Sequence, residues 1–219
     1  MKLMSVDIDW LGHAGFKIKS KDLVVYVDPF VLPPGCEKAD LILVTHEHFD
    51  HCDKEKIKQL IKDNTVIVCP VSCNLKLKSL GVEIRVMSNN QRIEIKGVSV
   101  ESVPAYNINK FKSQGEVFHP RGEGNGYVFT INGTVIYHAS DTDFIPEMKD
   151  LKNVDVALLP IGGVFTMDES EAVEAVKAIQ PRYVIPMHYG TLKETVADAR
   201  GFKSMVEVAD LKTRVILLG

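Results

Sequence analysis

Three histidines and an aspartate crowd one short stretch of this 219-residue chain, Thr45-His46-Glu47-His48-Phe49-Asp50-His51. Imidazole and carboxylate are donors that zinc, manganese and iron all accept. In an extended segment side chains repeat every two residues, so His46 and His48 point the same way. A bend after Phe49 would turn Asp50 and His51 toward the adjoining volume, and one segment would then feed two neighbouring metals. The chain has only seven histidines. Three of them in one motif argue against a solvated loop with chance imidazoles.

Four donors cannot complete two sites, so partners must come from elsewhere. Asp141, in Tyr137-His138-Ala139-Ser140-Asp141-Thr142, follows an apolar run and could bridge two cations; its plainer role is a turn acid or helix cap. His188, in Pro186-Met187-His188-Tyr189-Gly190, also leaves the end of an apolar run. Its plainer role is a partly buried structural histidine.

The donors sit where strands end, and strand ends are rigid platforms. Leu41–Thr45 is continuously apolar up to Thr45, which predicts a strand buried on both faces. Val6–Trp10 alternates as a half-buried strand does, and Leu23–Val27 is a β-branched run stopped by Asp28-Pro29. Helices are expected near 54–63 and 72–80 with the strand Thr65–Cys69 between them, then strands near 83–87, 91–95 and 97–103. Residues 106–125 are polar and glycine-containing and read as a long loop, a length often tied to function. Asn132-Gly133 joins Gly126–Ile131 to Thr134–His138 in a hairpin. Val154–Leu159 and Tyr183–Met187 are further strands around a helix that starts at Asp168 and ends before Pro181. A helix near 195–208 and a strand Arg214–Leu218 close the chain. No short repeat and no linker divides it, so residues 1–219 are expected to form one domain.

Composition narrows the setting. Hydrophobic residues make up 45% and charged residues 25% of the chain, with net charge −3. That is ordinary for a folded globular protein and supplies no broad attraction to nucleic acid. No apolar run reaches the ~20 residues that span a bilayer, and the start lacks a long apolar leader. The cytoplasm is the expected location. Cys36, Cys52, Cys69 and Cys73 contain no Cys-x-x-Cys pair and are expected to be reduced thiols.

His-x-His-x-Asp-His after an apolar strand, Ser140-Asp141-Thr142 after a later one and His188 after a still later one resemble the ordered motifs of the metallo-β-lactamase superfamily. Trp10-Leu11-Gly12-His13-Ala14-Gly15-Phe16, Val27-Asp28-Pro29-Phe30 and Leu158-Leu159-Pro160-Ile161-Gly162-Gly163 narrow the likeness. They resemble a metal-dependent hydrolase branch that includes ascorbate-6-phosphate lactonase-like proteins. The resemblance covers nearly the whole chain. It implies an α/β fold, a four-layer α/β/β/α sandwich, with the site at one edge of two facing sheets. It also implies that His46, His48 and a third histidine bind one metal, that Asp50, His51 and His188 bind a second, and that Asp141 bridges them.

The third histidine departs from the pattern. Relatives place it in a Pro-Ala-x-His-like stretch, but Val103-Pro104-Ala105-Tyr106-Asn107 holds none. His119 is the expected substitute and His138 its rival. His13, in a turn between two N-terminal strands, is expected near the metals in a hydrogen-bonding or catalytic role. Asp28 is either an acceptor behind a ligand imidazole or a turn acid. Tyr106, Asn107, Lys110 and Arg121 are candidates for substrate contact or plain surface residues.

The resulting expectation is a hydrolase in which one or two divalent ions activate a water molecule against a small ester, lactone or phosphodiester. Zinc or manganese is expected first, with iron or nickel as alternatives. Asp50 would orient the nucleophile or accept its proton, and His13 or His119 would assist the leaving group. A non-catalytic regulatory module holding metal or ligand, and an RNA-processing phosphodiesterase, are the competing readings. A redox-active diiron protein ranks last. The expected partner is a small-molecule substrate, without membrane or nucleic acid, and a homo-oligomer is allowed.

Overall fold

The computed structural model describes residues 1–21, 23–209 and 211–218. The first sheet runs β1 (Lys2–Leu3), β2 (Val6–Gly12), β3 (Gly15–Ser20), β4 (Leu23–Val27), β5 (Leu41–Leu43), β6 (Val66–Cys69) and β7 (Glu83–Val86) in spatial as in chain order. Its first four strands pair antiparallel and the rest parallel. The parallel part needs crossovers, and α1 (Lys54–Leu60) and α2 (Val71–Leu77) supply them.

The second sheet opens with the hairpin β8 (Arg92–Ile95) and β9 (Val98–Ala105). The chain leaves it for a short hairpin, β10 (Phe111–Ser113) and β11 (Glu116–Val117), and returns as β12 (Gly124–Ile131) and β13 (Thr134–His138). It ends through β14 (Val156–Pro160), α3 (Glu169–Ile179), β15 (Tyr183–Met187), α4 (Ala199–Val208) and β16 (Arg214–Val215). The strand order is β16-β15-β14-β13-β12-β9-β8.

Side-chain alternation explains the layers. In β4, β5 and β6 the residues Val25, Val27, Leu41, Leu43, Val66 and Val68 face the core shared with the second sheet. Their neighbours Tyr26, Ile42, Ile67 and Cys69 face the opposite way, against Ile57 and Leu60 of α1 and Cys73 and Leu77 of α2. Both faces are covered, so these strands read as unbroken apolar runs. On the far side α3 contributes Ala172, Val173 and Val176 to the shared core. The result is the four-layer sandwich expected. Tyr127 of β12 crosses the interior and donates its hydroxyl to the Val44 carbonyl at 2.8 Å, which ties the second sheet to the start of the histidine motif.

Several ends differ from the sequence expectation. α1 stops at Leu60, with Ile61 already extended, and α2 begins at Val71 and runs on as a tighter turn to Leu80. α4 starts only at Ala199, where Asp198 accepts the Arg200 N–H, so the segment before it is irregular. The closing strand is two residues, Arg214–Val215. The stretch 106–125 is not a bare loop; it carries β10 and β11 and ends in the first strand residues of β12. All four cysteines are free, and Cys52, Cys69 and Cys73 sit in the apolar layer beneath α1 and α2. Among the described residues no helix is long and apolar enough to cross a membrane.

Candidate metal centre

The segment after β5 bends as its spacing required. His51 and Cys52 donate their backbone N–H groups to the His48 carbonyl, at 3.1 and 2.8 Å, and this turn swings Asp50 and His51 away from His46 and His48. Two separate donor clusters result, spanned by a third group of His46, His51 and Asp141. His46, His48 and His119 form one; His13, Asp50, His51 and His188 form the other; within each, donor atoms lie within 4.8 Å of one another. Asp141 stands between them. Its Oδ2 is 3.4 Å from His119 Nε2 and 2.9 Å from His188 Nε2, and its Oδ1 is 3.4 Å from His51 Nε2.

Hydrogen bonds behind the rings decide which nitrogen faces inward. Asp28 is the main organiser. Its Oδ2 accepts from His51 Nδ1 at 2.7 Å and from the Thr45 hydroxyl at 2.6 Å, and its Oδ1 accepts the Thr45 N–H at 2.8 Å. With its proton spent on Asp28, the Thr45 hydroxyl accepts from His46 Nδ1 at 3.0 Å. The Nε2 atoms of His46 and His51 therefore point into the site.

His119 is held by Asn107, whose Oδ1 accepts both the His119 Nδ1–H at 2.8 Å and its backbone N–H at 2.9 Å. Asn107 in turn donates to Asp143 Oδ1 at 2.9 Å and to the Phe165 carbonyl at 2.9 Å. Asp143 lies two residues past Asp141, so the latch fixes the insertion to the strand end that carries Asp141. His48 presents Nδ1, at 3.1 Å from His46 Nε2 and 3.2 Å from His119 Nε2. The rival, His138, is engaged elsewhere: its Nε2–H donates to the Ala14 carbonyl at 2.9 Å and its Nδ1 accepts the Ser140 N–H at 3.2 Å.

The backbone is strained to reach this arrangement. His13, Asp28, Ser140 and His188 adopt left-handed φ of 55°, 43°, 65° and 58°. Each such residue costs about 1–3 kcal/mol, and such strain gathers at functional sites. The His188 N–H donates to the His13 carbonyl at 2.8 Å, which joins the two chain ends of the second cluster. Gly162 allows the close passage of that segment, since a Cβ there would collide with the His188 carbonyl oxygen.

Electrostatics follow from burial against neighbouring charge. Burial would raise the Asp50 carboxyl, but the hydrogen bond from His13 at 2.8 Å and the nearby His51 outweigh it and bring it to about 2. Burial holds His119 down at about 4 and His46 well below the usual range. Burial would lower His51 too, but Asp141 and Asp28 outweigh it and lift it well above. Asp141 is held well below the carboxylate range because His188 and His51 overcome its burial.

The arrangement passes a simple test of fit for divalent ions. His51 Nε2, His188 Nε2 and Asp141 Oδ1 are fully buried, and although Asp141 stands 3.4 Å from His51 Nε2 and 2.9 Å from His188 Nε2, none of the three atoms makes a well-aligned hydrogen bond. Orphaned buried donors are costly and rare unless something else satisfies them. The nitrogens of His46, His48 and His119 approach at 3.1 and 3.2 Å. Two nitrogens sharing one tetrahedral ion at ~2.0–2.1 Å would stand about 3.3 Å apart.

The structure thus brings together His46, His48, Asp50, His51, His119, Asp141, His188 and His13. It does not bring in Tyr106, Lys110 or Arg121. The Tyr106 hydroxyl donates to Glu147 at 3.0 Å, Lys110 pairs with Glu171 at 2.7 Å, and Arg121 pairs with Glu147 at 2.6 Å. Asn107 acts behind His119 rather than toward substrate. Sequence reasoning missed Thr45 as a relay and the aromatic residues Phe118 and Phe165 beside the site. Thr45 is adjacent to His46, and Phe165 opens Phe165-Thr166-Met167, a stretch that shares in the family resemblance, but no local signal marks Phe118.

Fold and donor set together define a protein of the metallo-β-lactamase fold. A family model described as "Beta-lactamase superfamily domain" matches residues 7–188, which takes in every donor. A UPF0173 metal-dependent hydrolase of Methanopyrus kandleri is 35% identical, with 96% of each chain covered. A crystal structure from Parabacteroides distasonis superposes with TM-score 0.84 at 32% identity, covering 98% of this chain and 94% of that one. Igni18, a metallo hydrolase from Ignicoccus hospitalis, superposes with TM-score 0.78 at 28% identity, covering 98% and 96%. The chain belongs to the UPF0173 family of metal-dependent hydrolases within the β-lactamase superfamily.

Proposed function

We propose that this protein hydrolyses a small ester, lactone or phosphodiester at a site of two divalent ions, zinc or manganese. His46, His48 and His119 would hold one ion, Asp50, His51 and His188 the other, with Asp141 shared. The observation that carries this reading is the convergence of buried atoms on His51, His188 and Asp141 that face one another across the site without a well-aligned hydrogen bond. When bound, the ions supply Lewis acidity, polarising the scissile group and lowering the pKa of a coordinated water toward ~7.

The chain's own residues do the positioning. Asp50 stays ionised at neutral pH and orients the attacking water with the oxygen that His13 leaves free. His13 donates to Asp50 at 2.8 Å and fixes its rotamer; with no exposure to solvent it acts as a positioning residue. His119 has its Nδ1 proton committed to Asn107, which makes it a ligand rather than a proton donor to the leaving group. Free thiols in all four cysteines accord with a reducing compartment, and we place the protein in the cytoplasm.

The test is metal analysis with turnover. The purified chain should bind close to two equivalents of zinc or manganese and hydrolyse members of a panel of aryl esters, lactones and phosphodiesters. His46→Ala should drop both metal content and rate. A chain that binds no divalent ion, or a His46→Ala variant with unchanged turnover, would overturn the assignment.

A further inference from the structure

The cleft in front of the donor clusters has a chemical character that narrows the substrate, and the inference rests on the hydrolase reading above. A cavity of about 250 Å³ opens over His48, Asp50, Asp141, His119 and His188. Its remaining walls are Phe49, Phe118, Phe165 and Leu192. Phe118 and Phe165 meet edge to face with ring centres 4.9 Å apart, and Phe49 is braced by Phe30 at 5.8 Å. Phe118 and Phe165 are therefore set in place against each other, while Phe49 stands 64% exposed at the rim. A narrow side arm of about 30 Å³ leads past His46 and His119 to Ser72, Glu47 and Glu123.

Among the described residues, neither the cavity nor its side arm is lined by lysine or arginine. The three cations of the adjoining insertion are paired elsewhere: Lys110 with Glu171, Lys112 with Glu116, and Arg121 with Glu147 and the face of Tyr106, 5.1 Å from its ring centre. An anionic group of the substrate lying away from the donor clusters, a phosphate monoester or a second carboxylate, would face aromatic walls or the Glu47 and Glu123 carboxylates, with no charge-assisted donor to replace its water. An apolar body would displace water from four large side chains.

We infer that the substrate is an uncharged carboxylic ester or lactone whose apolar acyl portion lies between Phe49, Phe118, Phe165 and Leu192. The chemistry is balanced as simple hydrolysis. Water's oxygen bonds to the acyl carbon, the acyl C–O bond to the alcohol breaks, the alcohol oxygen takes a proton from that water, and nothing is oxidised.

The metal-loaded protein should be assayed with p-nitrophenyl acetate, butyrate and hexanoate and with bis(p-nitrophenyl) phosphate. We expect kcat/KM to rise about two- to fourfold for each methylene added to the acyl chain and to be lowest for the phosphodiester. Phe165→Ala should flatten the chain-length series, and Val208→Ala, on the exposed face of α4, should leave it unchanged. Phe165→Arg supplies the missing cation and should raise phosphodiester turnover while lowering that of hexanoate. Calorimetric binding of N-phenylhexanamide, an uncharged amide, to the metal-free chain gives a second readout; Phe165→Ala should weaken it at least fivefold. A flat acyl series, a phosphodiester preferred to every ester, or amide binding indifferent to Phe165 would overturn the inference. If nothing is turned over yet the amide binds through Phe165, the hydrolase reading falls and the apolar recognition stands.

Discussion

The two donor clusters differ in how firmly they are held. Around Asp50, His51 and His188 everything is buried: Asp28 holds His51, His13 holds Asp50, and a left-handed backbone bonded to His13 places His188. The other cluster opens to the cleft at one donor: His48 is exposed, whereas His46 and His119 are buried, and His119 comes from an insertion and is held in place by Asn107. A donor set buried in a scaffold keeps its geometry without an ion; one at a rim depends on a latch. The difference suggests an inner ion bound tightly and an outer one exchanging with solvent and substrate.

Breaking what the clusters share should have the largest effect. Asp141 faces both, so Asp141→Ala should reduce metal content below one equivalent and turnover by more than about 100-fold, beyond the 10–100-fold usual for residues behind the ligands. Plasma emission spectroscopy and steady-state kinetics would measure this. A variant that kept two ions would show that the clusters do not share the carboxylate. Asp28→Ala comes next. It leaves His51 without its acceptor and frees the Thr45 hydroxyl that accepts from His46. Both ions should weaken together, by about 10–100-fold in affinity, as followed by competition with a chromogenic chelator. Loss at only one cluster would refute the relay through Thr45.

How these parts could be read in the sequence follows the same divide. The inner cluster was legible because its donors close strands with strong apolar signals, β5, β13 and β15, and because His46–His51 is dense. Asp28 stood out for its place at the end of β4. The outer cluster was only half legible. His119 emerged as the replacement for a histidine missing after Ala105, with nothing local to mark it. Its latch could not be seen, since Asn107 reaches His119 only after the chain turns back through β10 and β11, and reaches Asp143 from a different part of the second sheet. Helix starts were misplaced where a cap decided them: Asp198 delays α4 past an irregular segment that carries Leu192 to the cleft. Cleft walls made of phenylalanines resemble any apolar residue until the fold leaves them half-covered.

The latch offers a finer cut. Asn107→Ala removes the acceptor of His119 Nδ1 and leaves Asp28 untouched. The outer ion should weaken by about tenfold while the inner one is retained, so the chain titrates with one tight and one weak equivalent. Equal weakening of both would remove the contrast drawn above.

The smallest effect expected is on the metal-free chain, and it sets His51 apart from the other shifted imidazoles by sign. Burial lowers His13 and His46 and holds His119 at about 4. The unfolded chain takes up those protons near pH ~6.5 and the folded chain does not, so stability falls as pH drops from there toward 4. His51 runs the other way: burial would lower it, but Asp141 and Asp28 lift it well above the usual value. Its contribution is complete below pH ~6.5 and fades as pH rises through the folded value. The chelator-treated protein should therefore melt highest near pH ~6.5. Bound ions require a neutral His51, so saturating zinc or manganese should move that maximum upward. Thermal melts from pH 4 to 9, with and without metal, test both halves, and an optimum at the same pH in the two states would mean that His51 Nε2 does not meet an ion.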